Sequence, residues 1–252
     1  MPRLALHALL TLCVVTAGCS VFGPDYTRED GAVEALADAE TATRAVESYR
    51  FTSDMSVTAT ADSRTERVDI DLTGAVDVDA RAMRTNTTVD GESRRAYLLN
   101  QTAYRECQSP WIGWGTEELD DGTEWHNRTP AVRQLSLLES GALYRNGTER
   151  LDGERAMLVT GEPTADALTA YRDDRSQPLF GGPSIRDAEL QAWIDADTGR
   201  LLRTELRFTV ADGDNTATTT MTTTFSDYGE PVTVDLPDGA SPPDYEFGCP
   251  GE

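Results

Sequence analysis

Asp195 and Asp197, in the stretch WIDADTGRLLRTELRFTV, have a spacing that could support metal chemistry, because carboxylates two positions apart begin many calcium loops. An EF-hand loop also needs an oxygen ligand at position 5, glycine at position 6 and glutamate at position 12. Counted from Asp195, those positions hold glycine, arginine and leucine. The pattern therefore fails, and we predict no metal site; Gly199 instead favours a turn in which it takes a positive φ.

His126 is the only histidine beyond the N-terminal segment, and it lies in a polar stretch. Nucleophilic catalysis by serine or cysteine usually needs a histidine base beside the nucleophile. The chain also lacks GxSxG, HExxH, GxGxxG and P-loop motifs. We predict a protein that is not an enzyme and that holds no cofactor.

The composition is strongly acidic: 44 Asp and Glu face 22 basic residues, none of them lysine, and the formal charge is −22. Such a surface repels nucleic acid, so a nucleic-acid partner is not expected. Hydrophobic residues make up 38% of the chain, which argues against disorder caused by self-repulsion. Since molar salt shortens the Debye length to roughly 3 Å, we predict a halophile's protein, of archaeal origin.

The sequence of the N-terminus is typical of a targeting segment. Arg3 precedes an apolar run over residues 4–15, too short to span a bilayer, and small residues then lead into Cys19. The segment TAGC resembles a lipobox, which implies that Cys19 is lipidated and anchors the chain to the outer face of the cell membrane. We predict a signal peptide over residues 1–18, a tether over 19–25 and a single domain over 26–252; an ordinary signal peptide is the alternative.

Two cysteines, Cys107 and Cys249, remain in the predicted domain. An isolated pair in an extracytoplasmic compartment most often forms a disulfide, and this one would hold the C-terminal tail on the body. A metal site is the alternative, although two cysteines with only His126 nearby make a poor ligand set. Four sequons predict N-glycosylation where they are exposed, at Asn86, Asn100, Asn127 and Asn146.

The hydrophobic pattern predicts one helix over residues 27–48, capped by Thr27 and buried along a face that includes Val33. Shorter helices are predicted over 130–140 and 163–175. Elsewhere apolar and polar residues alternate, which predicts antiparallel strands with one apolar and one wet face. The predicted strands cover residues 55–61, 68–72, 76–80, 81–89, 93–99, 103–107, 143–151, 154–162, 188–194, 201–210, 216–228 and 232–236.

Three segments carry a family resemblance: SYRF (48–51), AWIDADTGRLLRTELRF (192–208) and TTTFSDYGEPVTVDLP (222–237). With the lipobox and the order of elements, they resemble the LolA-like lipoproteins, specifically the mycobacterial LppX/LprG type. The resemblance implies an α+β fold, in which a single large antiparallel sheet curves into a half-open barrel. One N-terminal helix and two short helices would cover its concave face.

In that family the concave face holds the apolar chains of lipids. The resemblance therefore implies that this chain binds a hydrophobic ligand and carries or presents it. We expect the chain to be a monomer and its ligand to be an isoprenoid lipid. The predicted cavity-lining residues are Met55, Val57, Val68, Ile70, Val76, Val78, Leu202, Leu206 and Phe208. The alternative is a structural or interaction module with a packed, ligand-free core, using Trp111, Trp114, Leu179 and Phe180 as its contact surface.

Overall fold

The computed structural model describes residues 26–119, 122–171 and 184–251. The predicted signal peptide, Cys19, the tether, Leu179 and Phe180 lie outside these residues. The described residues form eleven strands, three α-helices and one 3-10 helix. The helices are α1 (Asp30–Arg44), the 3-10 helix (Trp125–Arg128), α2 (Pro130–Glu139) and α3 (Ala165–Tyr171). The strands are β1 (Ser48–Ala61), β2 (Arg64–Asp77), β3 (Ala82–Val89), β4 (Glu92–Leu99), β5 (Thr102–Glu106), β6 (Trp114–Glu118), β7 (Ala142–Leu151), β8 (Glu154–Glu162), β9 (Ser184–Asp195), β10 (Leu201–Asp212) and β11 (Asn215–Ser226).

All eleven strands form one sheet in the order β6-β5-β4-β3-β2-β1-β11-β10-β9-β8-β7. Every neighbouring pair is antiparallel. The chain winds outward from β1 to one edge, crosses through the helices to the other edge, and returns inward until β11 pairs with β1. The sheet does not close on itself, so the predicted single open sheet with helices is confirmed.

Alternating side chains decide which face of this sheet is buried. In β1, Phe51 is buried, Met55 is half-buried, and the threonine and aspartate between them are exposed. Met55 lies opposite Ile70 of β2 and Met221 of β11, so the apolar positions of three strands share one face. We call this the inner face, and the helices pack against it.

The helices close the inner face from one side. α1 packs on α2, β7 and β8, while α3 packs on β9 and α2. Their buried residues join those of the inner face in one apolar cluster that includes Ala103 of β5 and Leu143 of β7. These two strands are nine positions apart in the sheet, about 40 Å if it were flat at about 4.8 Å per strand. A sheet curved around its helices explains how one cluster collects both.

The N-terminal helix differs from its prediction. It begins at Asp30 after the N-cap Glu29, which makes no side-chain capping bond, and Val33 points to solvent. Thr27 does not cap it; the Leu143 N–H donates to the Thr27 carbonyl at 2.9 Å, and the Glu29 N–H donates to the Leu143 carbonyl. The residues before the helix therefore pair with edge strand β7 and satisfy backbone groups that an open sheet leaves exposed.

The C-terminal tail covers the opposite edge. The Thr116 N–H donates to the Tyr245 carbonyl, and the Gly248 N–H donates to the Thr116 carbonyl, each at 2.8 Å. Cys107 and Cys249 form a disulfide that fastens this tail beside β6. The predicted pairing of the two cysteines is thus present in the structure. Each edge strand makes an isolated bridge with a neighbouring segment, β7 with Arg28 and β6 with Tyr245.

Two further differences have simple causes. The stretch predicted as a strand over 232–236 is irregular, because Pro231 and Pro237 flank it and β1 and β11 already have partners on both sides. Strand β6 lies within residues 108–129, where the sequence predicted only a long connection. The strand buries Trp114, so the prediction that Trp114 belongs to an exposed contact surface is wrong.

Among the described residues, no helix is long and apolar enough to cross a membrane.

Candidate ligand groove

A groove lies between the inner face of β1–β5 and the layer formed by the 3-10 helix, α2 and α3. It has an outer chamber of about 760 Å³ and an inner chamber of about 230 Å³. The described residues that line both chambers are Met55, Leu72, Met83, Thr85, Arg128, Arg133 and Tyr171. Since they share these walls, the two chambers form one continuous groove.

The floor of the groove is apolar and rich in methionine. Met55 and Met83 line both chambers, and Met221 lines the inner one. Methionine is unbranched and polarisable, so it adapts to ligands of irregular outline better than β-branched residues do. Phe51 closes the inner end, where its ring lies over Gly74; a Cβ at that glycine would meet the ring at 2.2 Å.

Gln134 of α2 anchors the helical wall to the sheet. Its Oε1 accepts from the hydroxyl of Thr204, and its Nε2 donates to the hydroxyl of Thr223 at 3.1 Å. The Thr223 hydroxyl also meets that of Ser53 at 2.8 Å. All four side chains are buried, and each hydrogen bond is strong because water does not compete there. This network fixes the position of α2 over β10, β11 and β1.

Tyr49 supports the same helix from its N-terminus. The Ala131 N–H donates to the Tyr49 hydroxyl oxygen at 3.4 Å, which satisfies one of the free amides of the first turn. Pro130, at the start of α2, has no N–H to satisfy. Burial raises the pKa of Tyr49 to about 12, although hydrogen bonds from Thr129 and Ala131 oppose the effect.

Arg133 and Tyr171 form the wall opposite the methionines. The Arg133 guanidinium lies 4.7 Å from the centre of the Tyr171 ring and donates a hydrogen bond to the Tyr171 carbonyl oxygen. Burial raises the pKa of the Tyr171 hydroxyl, while the Arg133 charge and a hydrogen bond from Gln134 oppose the rise. These contacts join α2 to α3 along the groove.

The structure separates the nine predicted cavity residues. Met55 and Ile70 line the groove. Val57 and Val68 pair with each other farther along β1 and β2, where Val68 is exposed. Four others are buried in the packed core rather than on a groove wall, namely Val76, Val78, Leu206 and Phe208.

Leu202 is only half-buried, because a β-bulge between Leu201 and Arg203 breaks the alternation and places Leu201 in the core instead. Met83 and Met221 were not among the predicted cavity residues, although methionines within threonine-rich strands are a signal that could have indicated them. Arg133 and Tyr171 were not predicted either, because nothing in their local sequence shows that the two short helices face the same strands. The roles of the nine residues in ligand binding stay a prediction.

Asp195 caps the β9–β10 turn. Its Oδ1 accepts from the Asp197 and Thr198 N–H groups at 3.0 and 2.6 Å and from the Thr198 hydroxyl at 2.7 Å. Burial would raise the pKa of this carboxyl, but the hydrogen bonds from Thr198 and Asp197 lower it below its usual value. Gly199 has φ +72° and lies against α1, so the turn also positions that helix. Among the described residues, no group of three or more His, Cys, Asp or Glu could hold a metal ion.

The four sequons occupy different surroundings. Asn100 lies in the exposed β4–β5 turn, and Asn146 is exposed at a bulge in β7. Asn127 is exposed and accepts a hydrogen bond from Arg44 at 3.2 Å. Asn86 is half-buried in the middle of β3. Exposure thus favours glycosylation at Asn100, Asn127 and Asn146 over Asn86, and their modification stays a prediction.

The described residues thus form an open antiparallel sheet with an apolar groove beneath its helices. No family model matches this chain. The lipoarabinomannan carrier protein LprG of Mycobacteroides abscessus is 34% identical over 91 residues, which are 36% of this chain and 34% of that protein. The chain thus matches about a third of the length of this curated relative.

Several solved structures are also similar, among them one of a lipoprotein. LppX of Mycobacterium tuberculosis shares 18% identity at a TM-score of 0.49, covering 82% of this chain and 100% of that one. LprF of Mycobacterium bovis shares 18% identity at a TM-score of 0.42, covering 84% and 99%. A LolA superfamily protein of Nitrosomonas europaea has 11% identity and a TM-score of 0.28, covering 82% and 95%. The relatives are thus of the kinds that the sequence motifs resemble.

Proposed function

We propose that this chain is a lipoprotein of the cell surface that binds a hydrophobic ligand in the groove and carries or presents it, without catalysis. The observation that carries the proposal is the continuous groove with its methionine-rich floor, which reaches the 300–1,000 Å³ range typical of ligand sites. The name of LprG, a lipoarabinomannan carrier, supports a lipid as the ligand.

Burial of an apolar chain supplies the driving force. Each methylene that leaves water contributes roughly 0.8 kcal/mol, so ten buried methylenes contribute about 8 kcal/mol before the costs of association are subtracted. A methyl-branched isoprenoid chain has an irregular outline that flexible methionine side chains accommodate. The proposed ligand is therefore a lipid with such chains.

Native mass spectrometry of protein purified from its own membranes tests this function directly, since a bound lipid adds a defined mass. Leu72→Trp places a large ring in both chambers, and we expect it to weaken lipid binding at least tenfold. Asp71→Trp is the matched control, because Asp71 is the neighbouring residue on the outer face. Protein that is always ligand-free, or equal binding by both variants, would contradict the proposal.

Membrane attachment through Cys19 belongs to the same proposal. We expect Cys19→Ser to release the protein from membranes, and we expect the mass of the wild-type N-terminal peptide to include a lipid. An unmodified peptide beginning at another residue would instead support an ordinary signal peptide. Extracytoplasmic location, monomeric state and halophilic origin also stay predictions of the sequence.

A second candidate function, a non-catalytic interaction module, is favoured by an exposed apolar patch beside the disulfide. Ile112 and Phe247 are 85% and 96% exposed, and Trp111 is 45% exposed. If the patch binds a protein partner, replacing all three with serine should abolish a cross-linked complex in membranes while lipid binding in the groove persists. An unchanged cross-linking pattern would remove this candidate.

A further inference from the structure

The groove concentrates positive charge in a chain whose formal charge is −22. Arg105 of β5, Arg128 of the 3-10 helix and Arg133 of α2 all line the outer chamber. Among the described residues that line either chamber, none is acidic, although the whole chain contains 44 acidic residues. The described part of the groove wall thus carries arginines and no carboxylate, unlike the acidic chain as a whole.

Arg133 lines both chambers, as Arg128 does, and its guanidinium lies over the Tyr171 ring of the groove wall. Its stacking on Tyr171 and its hydrogen bond to the Tyr171 carbonyl hold the guanidinium in place. A guanidinium has five N–H donors arranged in a planar fork that suits phosphate. In the part of the chain that the structure describes, no carboxylate contacts Arg133, so its charge is not neutralised there.

Arg105 differs in this respect. Its guanidinium lies 3.3 Å from a carboxylate oxygen of Glu117, the residue on the neighbouring strand β6, and the two charges largely offset each other. Arg105 therefore contributes less attraction for an anion than Arg133 does. This difference favours Arg133 over Arg105 for the direct contact with an anion.

We infer that the groove selects anionic phospholipids, with Arg133 binding the phosphate while the chains lie on the methionine floor. This inference rests on the proposed lipid-binding function and adds the chemical class of the head group. In molar salt the Debye length is roughly 3 Å, so the acidic outer surface repels distant anions only weakly. A contact between Arg133 and phosphate, partly shielded from solvent, is screened much less.

Two lipids with identical chains test the inference: diphytanoyl phosphatidylglycerol, which is anionic, and diphytanoylglycerol, which lacks the phosphate. Their affinities for delipidated full-length protein are measured in 2 M KCl by displacement of a fluorescent fatty acid. We expect the wild type to bind the phospholipid about tenfold more tightly, which corresponds to about 1.4 kcal/mol. Arg133→Gln should remove this preference and leave the affinity for diphytanoylglycerol within about twofold.

Arg207→Gln is the matched control, because it makes the same charge change at an exposed position on the outer face of β10. It should keep the full preference. Arg133→Lys retains the charge without the planar fork, and its preference should fall between those of the wild type and Arg133→Gln. Circular dichroism of each variant shows whether the fold is retained; if Arg133→Gln unfolds, the comparison with Arg133→Lys decides.

The outcomes separate the two proposals. Equal affinity of the wild type for both lipids overturns the selection of anionic head groups and leaves the lipid-binding function standing. A preference that survives in both Arg133 variants overturns the assignment to this residue. If neither lipid displaces the probe, the inference and the proposed function are both wrong.

Discussion

Gln134→Leu tests whether a buried polar network holds the groove wall in place. Leucine removes the acceptor of the Thr204 hydroxyl and one partner of the Thr223 hydroxyl, and both threonines are fully buried. Thr223 keeps its contact with Ser53, whereas Thr204 loses its side-chain partner in the network. The unsatisfied buried hydroxyl of Thr204 costs about 1–3 kcal/mol, and the bond lost by Thr223 adds about 1 kcal/mol. We therefore expect the free energy of unfolding to fall by about 2–4 kcal/mol.

A double-mutant cycle isolates the contribution of the Gln134–Thr204 bond. Thr204→Val alone leaves the Gln134 carbonyl oxygen without this donor, and we expect a loss of about 1–3 kcal/mol. The double variant removes both polar partners, so its loss should be smaller than the sum of the two single losses by at least about 1 kcal/mol. Thr209→Val, which breaks a hydroxyl contact with Thr218 near the outer surface, is the control and should cost less than about 1 kcal/mol.

Thermal unfolding followed by circular dichroism in 2 M KCl measures these differences. For a domain of this size, 1 kcal/mol lowers the melting temperature by roughly 2–4 °C, so Gln134→Leu should melt about 4–16 °C below the wild type. The reasoning is refuted if Gln134→Leu melts within 2 °C of the wild type. It is also refuted if the two single losses simply add, because the side chains would then be uncoupled.

Four other predictions concern the groove wall, the helix support, the sheet edge and the surface. Gly74→Ala forces the Phe51 ring to move, so we expect a loss of about 1–3 kcal/mol in calorimetry and a smaller inner chamber that takes up less lipid. Tyr49→Phe removes an acceptor for the first turn of α2 and should cost about 1 kcal/mol. Because burial raises the pKa of Tyr49 to about 12, its contribution to the free energy of unfolding is complete below about pH 10 and is lost as pH rises towards 12. The free energy of unfolding of Tyr49→Phe should therefore fall less steeply than that of the wild type between about pH 10 and 12. An equal slope in the two proteins would contradict the assignment. Replacing Cys107 and Cys249 with serine frees the tail from β6. The chain-entropy model for a separation of 142 residues gives a loss of up to about 5 kcal/mol, and size-exclusion chromatography should show association through the exposed edge, whereas a monomer of unchanged stability would argue against this role. Finally, the acidic surface should make folding salt-dependent, with circular dichroism lost in dilute buffer and regained in molar KCl; a fully folded protein without salt would refute the halophilic prediction.

Most of the sheet could be predicted from the sequence because apolar and polar residues alternate with a two-residue period along most strands, and this alternation indicates which side chains are buried. The alternation in residues 201–210 and the turn at Gly199 predicted the β9–β10 hairpin, and the structure confirms it. Strand β6 was missed because it is short, with Trp114 and Gly115 buried in succession, and its edge is covered by a tail from the far end of the chain. No pattern within β6 indicates that the C-terminal tail pairs with it.

The site was less accessible to sequence reasoning than the sheet. The sequence pattern of an apolar residue on the inner face is the same whether the residue meets a helix or lines a groove. Leu206 and Ile70 were therefore both predicted to line the cavity, although Leu206 lies in the buried core and Ile70 lines the groove. The bulge at Leu201 also defeats a strict two-residue period. The local sequence around Arg133 does not indicate that this residue lines the groove, because its position there depends on which strands α2 covers.

The sequence by itself determined the acidic character, the alternating strands, the turn at Gly199 and the availability of one cysteine pair. These features depend on composition or on neighbours within a few residues, so they can be predicted from the sequence alone. Only the tertiary structure decided that the helices leave a groove over β1–β5, that arginines from three elements line it, and that Arg28 and Tyr245 bridge to the edge strands. Those outcomes depend on packing between residues far apart in the chain, where shape and distance rather than local pattern decide which side chains meet.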